Sequence, residues 1–243
     1  MSTRDITFYG VGVGPGDPEL ITLKAARIIK NADIVAYITN VKGESVAKNI
    51  ASNVLLEAKS AQLTLPIEIS MSIGRSDINK AYDNASREIL ALMQEGKTVA
   101  FLCEGDPLFF GSFIYLMDRI SAQQNCKIIP GITSVNAASA QLSTPLTILS
   151  EDMAIISSRS TDQKIADTLA TYDTVAILKA GPHMPRLTTL LKAAGRKEET
   201  QYIEYATHTS EKIVKDVSLI SDRKGPYFSL LLITRKEREY RCD

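Results

Sequence analysis

Four glycines alternate through Tyr9-Gly10-Val11-Gly12-Val13-Gly14-Pro15-Gly16-Asp17-Pro18, in and just after an apolar run that begins at Ile6. With side chains missing from every second position, the backbone there can lie against a partner that any Cβ would hold away. A helical pattern follows at Glu19-Leu20-Ile21-Thr22-Leu23-Lys24-Ala25-Ala26. Strand, tight loop and helix in that order form the unit with which α/β proteins surround nucleotides. The first expectation is therefore an α/β fold with a phosphate loop.

The details of the loop argue against phosphate. A Walker loop needs Lys followed by Ser or Thr after its last glycine, to neutralise the terminal phosphates and to hold magnesium, and no such pair follows Gly16. The dinucleotide fingerprint needs G-x-G-x-x-G, and counting from Gly10 or Gly12 its third glycine falls on Pro15 or Asp17. Asp33 precedes the second strand, whereas a ribose would be held at that strand's far end. Asp17 and Pro18 also suit a helix start, as cap and first residue.

Further along, Asp33 to Ile38 reads as a strand, Glu44 to Leu56 as a helix, and Gln62 to Ile69 as a strand that Pro66 assigns to an edge. A helix capped by Asp77 runs through Ile78, Ala81, Tyr82, Ala85, Ile89, Leu92 and Met93 and closes at Gly96. Thr98 to Cys103 reads as a central strand broken by Glu104-Gly105-Asp106-Pro107, and Cys126 to Ile129 as another that stops at Pro130-Gly131-Ile132-Thr133-Ser134. In a parallel sheet the C-terminal strand ends share one side, so loops 10–18, 104–112 and 130–136 should converge there. A carboxylate such as Asp106, at the end of a central strand, can meet a ligand; it is equally a turn former.

From Pro145 the texture changes to strands at Met153, Val175, Tyr202 and Phe228, joined by helices over Ile165 to Ala170 and Pro185 to Ala194. The expectation is two α/β domains, an N-terminal one of mainly parallel sheet over 1–147 and a C-terminal mixed one over 148–243, with the hinge near Ser143 to Glu151.

The 28 basic and 28 acidic residues balance, with no long run of one sign. That favours a small or locally matched ligand over a nucleic acid or a membrane surface. Cys103, Cys126 and Cys242 suggest neither a disulfide framework nor a metal site. With no signal-type segment and no run near the roughly 18 apolar residues of a membrane span, a soluble cytoplasmic protein is expected.

Three stretches together resemble one family: Tyr9 to Ala25, Leu102-Cys103-Glu104-Gly105-Asp106-Pro107-Leu108-Phe109-Phe110-Gly111-Ser112, and Pro130 to Ser134. They are similar to the tetrapyrrole methylases, and the second stretch most resembles the members that methylate C20 of precorrin-2 or its cobalt form in cobalamin biosynthesis. The resemblance implies two α/β domains with the methyl donor S-adenosylmethionine in the cleft between them, a tetrapyrrole substrate and a homodimer. It places the donor against the positions of Gly105, Asp106, Phe109, Thr133, Ser134, Met184, Ala206 and Phe228, with Pro15 beside it and facing the tetrapyrrole.

The residue chemistry agrees in kind. S-adenosylmethionine carries no phosphate, so its loops need backbone groups and apolar surface rather than lysine. Methyl transfer demands mainly alignment and exclusion of water. If a base removes the displaced proton, Tyr37, Glu104 and His183 are the candidates, each with an ordinary structural alternative. Arg75, Lys80, Arg159, Lys179 and Arg186 could meet substrate carboxylates or simply lie in solvent. The chain departs from the family pattern at Ile38, where proline is frequent, and at Ile132-Thr133, where Val-Ser is frequent. Two alternatives stay open: a sister methylase acting on another corrinoid position or on uroporphyrinogen III, and a non-catalytic ligand-binding protein of the same fold.

Overall fold

The computed structural model describes residues 5–69, 75–220 and 223–238. Cys242 and the side chain of Arg75 lie outside the described residues. The chain packs as two compact units that divide after Thr133.

In the first unit the elements run β1 (Thr7–Gly12), α1 (Leu23–Asn31), β2 (Ile34–Thr39), α2 (Val46–Ile50), α3 (Ser52–Leu56), β3 (Leu63–Glu68), α4 (Arg75–Gln94), β4 (Val99–Cys103), α5 (Phe113–Ile120) and β5 (Asn125–Ile129). The strands form one sheet in the order β3-β2-β4-β1-β5 with every pair parallel. The strand expected to be central, β4, is buried throughout, and the strand containing Pro66 is at an edge. Alternate residues feed two cores, as the two-residue period of a strand requires. Phe8, Ile34, Val99 and Phe101 pack with Ile89 and Met93 of α4 and Phe113, Leu116 and Ile120 of α5. Val11, Val35, Ala100 and Leu102 pack on the other face with Ala25, Ile29, Ala47 and Ile50.

Several helix starts differ from expectation. The helix expected at Glu19 is a single 3₁₀ turn, Pro18–Leu20, capped by Asp17, whose Oδ1 accepts from the Glu19 N–H at 2.8 Å. After the extended Ile21, Thr22 caps α1 through the Ala25 N–H at 3.1 Å. The expected 44–56 helix breaks at Ala51 into α2 and α3. Asp77, expected as a cap, lies in the first turn of α4, where its charge still complements the helix dipole. Gly96 ends that helical region at φ +84°, as expected.

The second unit holds α6 (Ser134–Leu142), β6 (Met153–Ser157), α7 (Asp162–Thr171), β7 (Thr174–Leu178), α8 (Met184–Ala193), β8 (Thr200–Glu204), β9 (Lys212–Val214) and β10 (Ser229–Thr234). Its sheet runs β6-β7-β10-β8-β9, parallel between β6 and β7 and antiparallel elsewhere, so it is mixed. Ile165, Leu169, Ile177, Leu187, Leu191, Tyr202, Leu231 and Ile233 make its core. The division after Thr133 differs from the expected 147/148 because α6 packs against β10 and so belongs with the second sheet. Thr144-Pro145 ends α6 without separating the units. No helix among the described residues is long and apolar enough to cross a membrane.

Candidate functional site

Parallel pairing brings the C-terminal ends of β1, β4 and β5 to one side of the first sheet, and there the three glycine loops touch. Gly14 and Gly105 form an antiparallel bridge, with the Gly105 N–H donating to the Gly14 carbonyl at 2.8 Å and the Gly14 N–H to the Gly105 carbonyl at 3.4 Å. Val13 N–H adds a bond to the Cys103 carbonyl at 2.9 Å. Asp106 ties in the third loop: one carboxylate oxygen accepts from Gly131 N–H at 3.1 Å and the other from Leu108 N–H at 2.9 Å. Gly105 needs its glycine for φ +66°. Around this frame Leu108, Phe110 and Ile132 present apolar side chains to solvent, and the Phe109 ring meets that of Phe110 edge-on.

Toward the C-terminal ends of β2 and β4 are Tyr37 and Glu104, with Lys48 on α2 above them. Tyr37 is 4% exposed, and the Lys48 Nζ lies 5.0 Å from its ring centre, a cation–π contact. Glu104 is accessible to solvent, and its Oε1 accepts from the Ala47 N–H of the first turn of α2 at 3.2 Å. Protein packed around the carboxyl raises its pKa through desolvation, while hydrogen bonds from its own N–H and from Ala47 hold it back. Its neighbour Cys103 is buried, and desolvation, with Glu104 and Asp106 adding to it, pushes the thiol well up and keeps it neutral and unreactive. Lys48 carried no signal in the sequence, because only the tertiary fold puts it over Tyr37.

In the second unit a comparable edge forms where β7 and β8 end and β10 begins. Lys179, Tyr205 and Thr207 adopt φ values of +60°, +50° and +67° there. Left-handed backbone at non-glycine residues costs energy that the surroundings must offset, and such residues gather at ligand sites. Tyr205 N–H donates to the Phe228 carbonyl at 2.8 Å, and Gly181 N–H to Ser229 Oγ at 2.8 Å. The rings contact one another in the order His208, Tyr205, Phe228 and Tyr227, and Lys179 Nζ stands 5.0 Å from the Tyr227 ring.

A profile of the tetrapyrrole (corrin/porphyrin) methylases matches residues 7–218 of this chain. The chain belongs to that family. This methylase is 31% identical over 234 residues to the cobalt-precorrin-2 C(20)-methyltransferase of Salmonella typhimurium, covering 96% of this chain and 97% of the other. It is 30% identical over 230 residues to a precorrin-2 C(20)-methyltransferase of a Sinorhizobium species, covering 92% and 93%. It also matches the cobalamin biosynthesis protein CobIJ of Mycobacterium bovis, 34% identical over 238 residues, and spans 46% of that longer relative. Among solved structures, the cobalt precorrin-4 methyltransferase CbiF superposes with a TM-score of 0.73 at 24% identity, covering 94% of each chain. The uroporphyrin-III C-methyl transferase of Thermus thermophilus, complexed with S-adenyl homocysteine, superposes at 0.68 and 22%, covering 94% of this chain and 92% of the other. These two share the fold.

On this methylase the expected positions fall into two groups. Pro15, Gly105, Asp106, Phe109 and Thr133 lie on the loops at the C-terminal edge of the first sheet, and Ser134 opens α6. Ala206 and Phe228 flank the edge of the second sheet, with Met184 at the start of α8. The Met184 side chain is 1% exposed and packs in the core, while its backbone N–H donates to the Gly181 carbonyl and its carbonyl accepts from the Thr188 hydroxyl at 2.9 Å. His183 sits in a 3₁₀ turn before α8, its backbone N–H bonded to the Ala180 carbonyl at 2.9 Å.

Of the basic candidates, Arg186 bonds Asp162 and the carbonyls of Ser158 and Ser160, so it is a structural brace. Lys80 pairs with Asp77 on the surface of α4, and Arg159 is exposed. Lys179 remains at a sheet edge. Loops 10–18, 104–112 and 130–136 contain no Lys or Arg and carry Asp17, Glu104 and Asp106. That donor set repels phosphate and suits a ligand with a positive centre, so the residues fit a sulfonium methyl donor.

Proposed function

We propose that this methylase transfers the methyl group of S-adenosylmethionine to C20 of precorrin-2 or cobalt-precorrin-2 in cobalamin biosynthesis, acting as a homodimer. The observation that carries the reading is its likeness over nearly the whole of both chains to two enzymes named for that reaction. The lysine-free, acidic and apolar loop frame supports the choice of donor. Gly105, Asp106, Phe109, Thr133, Ser134, Met184, Ala206 and Phe228, with Pro15 beside them, would hold it. When bound, S-adenosylmethionine supplies an electrophilic methyl group. The chain's part is to offer backbone groups from the bridged glycine loops, to surround the reacting atoms with Leu108, Phe109 and Ile132, and to keep water out.

A second reading, transfer to another corrinoid position, is favoured by 29% identity over 241 residues to the cobalt-precorrin-4 C(11)-methyltransferase of Methanocaldococcus jannaschii. Incubation of the purified protein and S-adenosylmethionine with a panel of tetrapyrroles, followed by mass spectrometry and NMR of the product, decides between them. A new methyl at C20 is the expected result; one at C11, or on uroporphyrinogen III, would move the assignment to a sister reaction. Absence of S-adenosylhomocysteine binding by calorimetry would remove the methylase reading altogether, and light scattering reads the dimer.

A further inference from the structure

We propose that Glu104 is a catalytic residue, the base that accepts the proton displaced from the carbon being methylated. The inference rests on the reading above in one respect: the methylated carbon must carry hydrogen, as a bridging carbon such as C20 does. Such a carbon gains a methyl group from the donor and ends without its hydrogen. Its C–H bond breaks with the electron pair returning to the conjugated ring system, and one proton is left over. The Glu104 carboxylate takes that proton and passes it to solvent, so charge and atoms balance.

Three observations select Glu104 from the three candidates. It follows the central strand β4 directly and precedes Gly105, the residue bridged to Gly14, so the glycine frame fixes its backbone. Its side chain is accessible, whereas Tyr37 is 4% exposed beneath Lys48, and His183 sits in the 3₁₀ turn before α8 rather than on the glycine loops. Its orientation is set: Oε1 accepts from Ala47 N–H at 3.2 Å, and a carboxylate offers about four lone-pair positions, so acceptor capacity remains for a proton.

The groups facing Glu104 also fit the task. The Ala47 N–H, in the first turn of α2, and the N–H of Glu104 itself favour the ionised form. Protein packed around the carboxyl opposes it and raises the pKa above the usual carboxylate value, the direction that makes a carboxylate a stronger base. The neutral Cys103 thiol and the Asp106 carboxylate, whose two oxygens are spent on Leu108 and Gly131, complete the surroundings. A purely structural role as a cap on α2 would be served equally by glutamine, whose amide oxygen also accepts from Ala47.

The test compares wild type, Glu104→Gln and Glu104→Asp as full-length protein. Glu104→Gln should fold, melt at the wild-type temperature and bind S-adenosylhomocysteine within about twofold of wild type. It should lose about 100-fold or more in kcat, the usual weight of a general base, and Glu104→Asp should recover part of that loss. A second readout needs no methyl transfer: in D2O, with S-adenosylhomocysteine replacing the donor, wild type should wash deuterium into the reacting carbon and Glu104→Gln should not. The acid limb of the wild-type pH profile should also vanish in Glu104→Gln. Turnover and deuterium exchange of Glu104→Gln within threefold of wild type would overturn the proposal, as would loss of its folding or of its S-adenosylhomocysteine binding. If wild type methylates a different tetrapyrrole from the panel, the C20 reading fails, and the same comparison on that substrate still judges Glu104.

Discussion

A side chain at Gly131 would have nowhere to go. Its Cβ would lie 2.0 Å from the Gly105 carbonyl oxygen and 2.8 Å from Gly12 Cα. At Gly10 the obstacle is different, since a Cβ would meet the Phe113 ring at 2.6 Å. The sequence shows that something approaches these glycines closely, and a flat substrate and a folded donor are the natural candidates. The structure corrects this: the close neighbours are the protein's own loops and the α5 aromatic, which only tertiary packing brings near. The two sites therefore predict different failures. Gly10→Ala should cost about 1–3 kcal/mol in urea unfolding through overpacking, with S-adenosylhomocysteine affinity kept. Gly131→Ala should weaken that affinity by about tenfold or more, because 1.4 kcal/mol of distortion at the bridged frame is enough. Asp106→Ala strands the Leu108 and Gly131 N–H groups, and we expect about 1–3 kcal/mol of lost stability together with weaker binding in calorimetry. Unchanged binding would leave Asp106 a turn former.

At the scale of elements, Asp33 holds the start of β2 to the start of β4. Its Oδ2 accepts from the N–H and the hydroxyl of Thr98, both at 2.8 Å, and Lys59 Nζ lies 2.5 Å from Oδ1. Burial works against the charge, but the Lys59 and Thr98 bonds outweigh it and hold the carboxyl well below the usual carboxylate range. The folded protein thus binds this proton less tightly than the unfolded chain does. The stabilisation is complete above the unfolded value of about 3.9 and is lost as pH falls below it toward the folded one. Thermal melts of wild type and Asp33→Asn should differ at pH 7 and converge on acidification below about pH 4. The strands that cross each sheet are legible in the sequence because burial on both faces leaves long apolar runs, as in Val99 to Cys103. The short edge strand β9, Lys212–Val214, is not. It has two exposed residues and exists through its pairing with β8, which no local pattern announces.

For the molecule as a whole, each unit has its own core, and the second is anchored by a buried cation. Arg196, 2% exposed, donates to the carbonyls of Leu169, Tyr172 and Asp173 at 2.8, 2.9 and 2.8 Å and pairs with Glu199. Those carbonyls lie at the end of α7, where a helix leaves acceptors without partners. Arg196→Ala should cost about 3–5 kcal/mol, read as faster amide exchange in α7, β7 and β8 with protection kept in β1 and β4. No local pattern marks Arg196 as buried, since its burial depends on three carbonyls distant in the chain. The two-part α/β plan was legible in the order of strands and helices. The division after Thr133 was not, since it depends on where α6 packs.

The Gly14–Gly105 bridge has a consequence for how such a protein can change. Its hydrogen bonds run between main-chain atoms, so the register of the loops does not depend on the identity of the side chains they display. A library that randomises Leu108, Phe110 and Ile132 while keeping Gly12, Gly14, Gly105 and Gly131 fixed would alter the wall offered to a macrocycle without unhooking the joint beneath it. The frame works as a chassis on which new substrate preferences can be mounted.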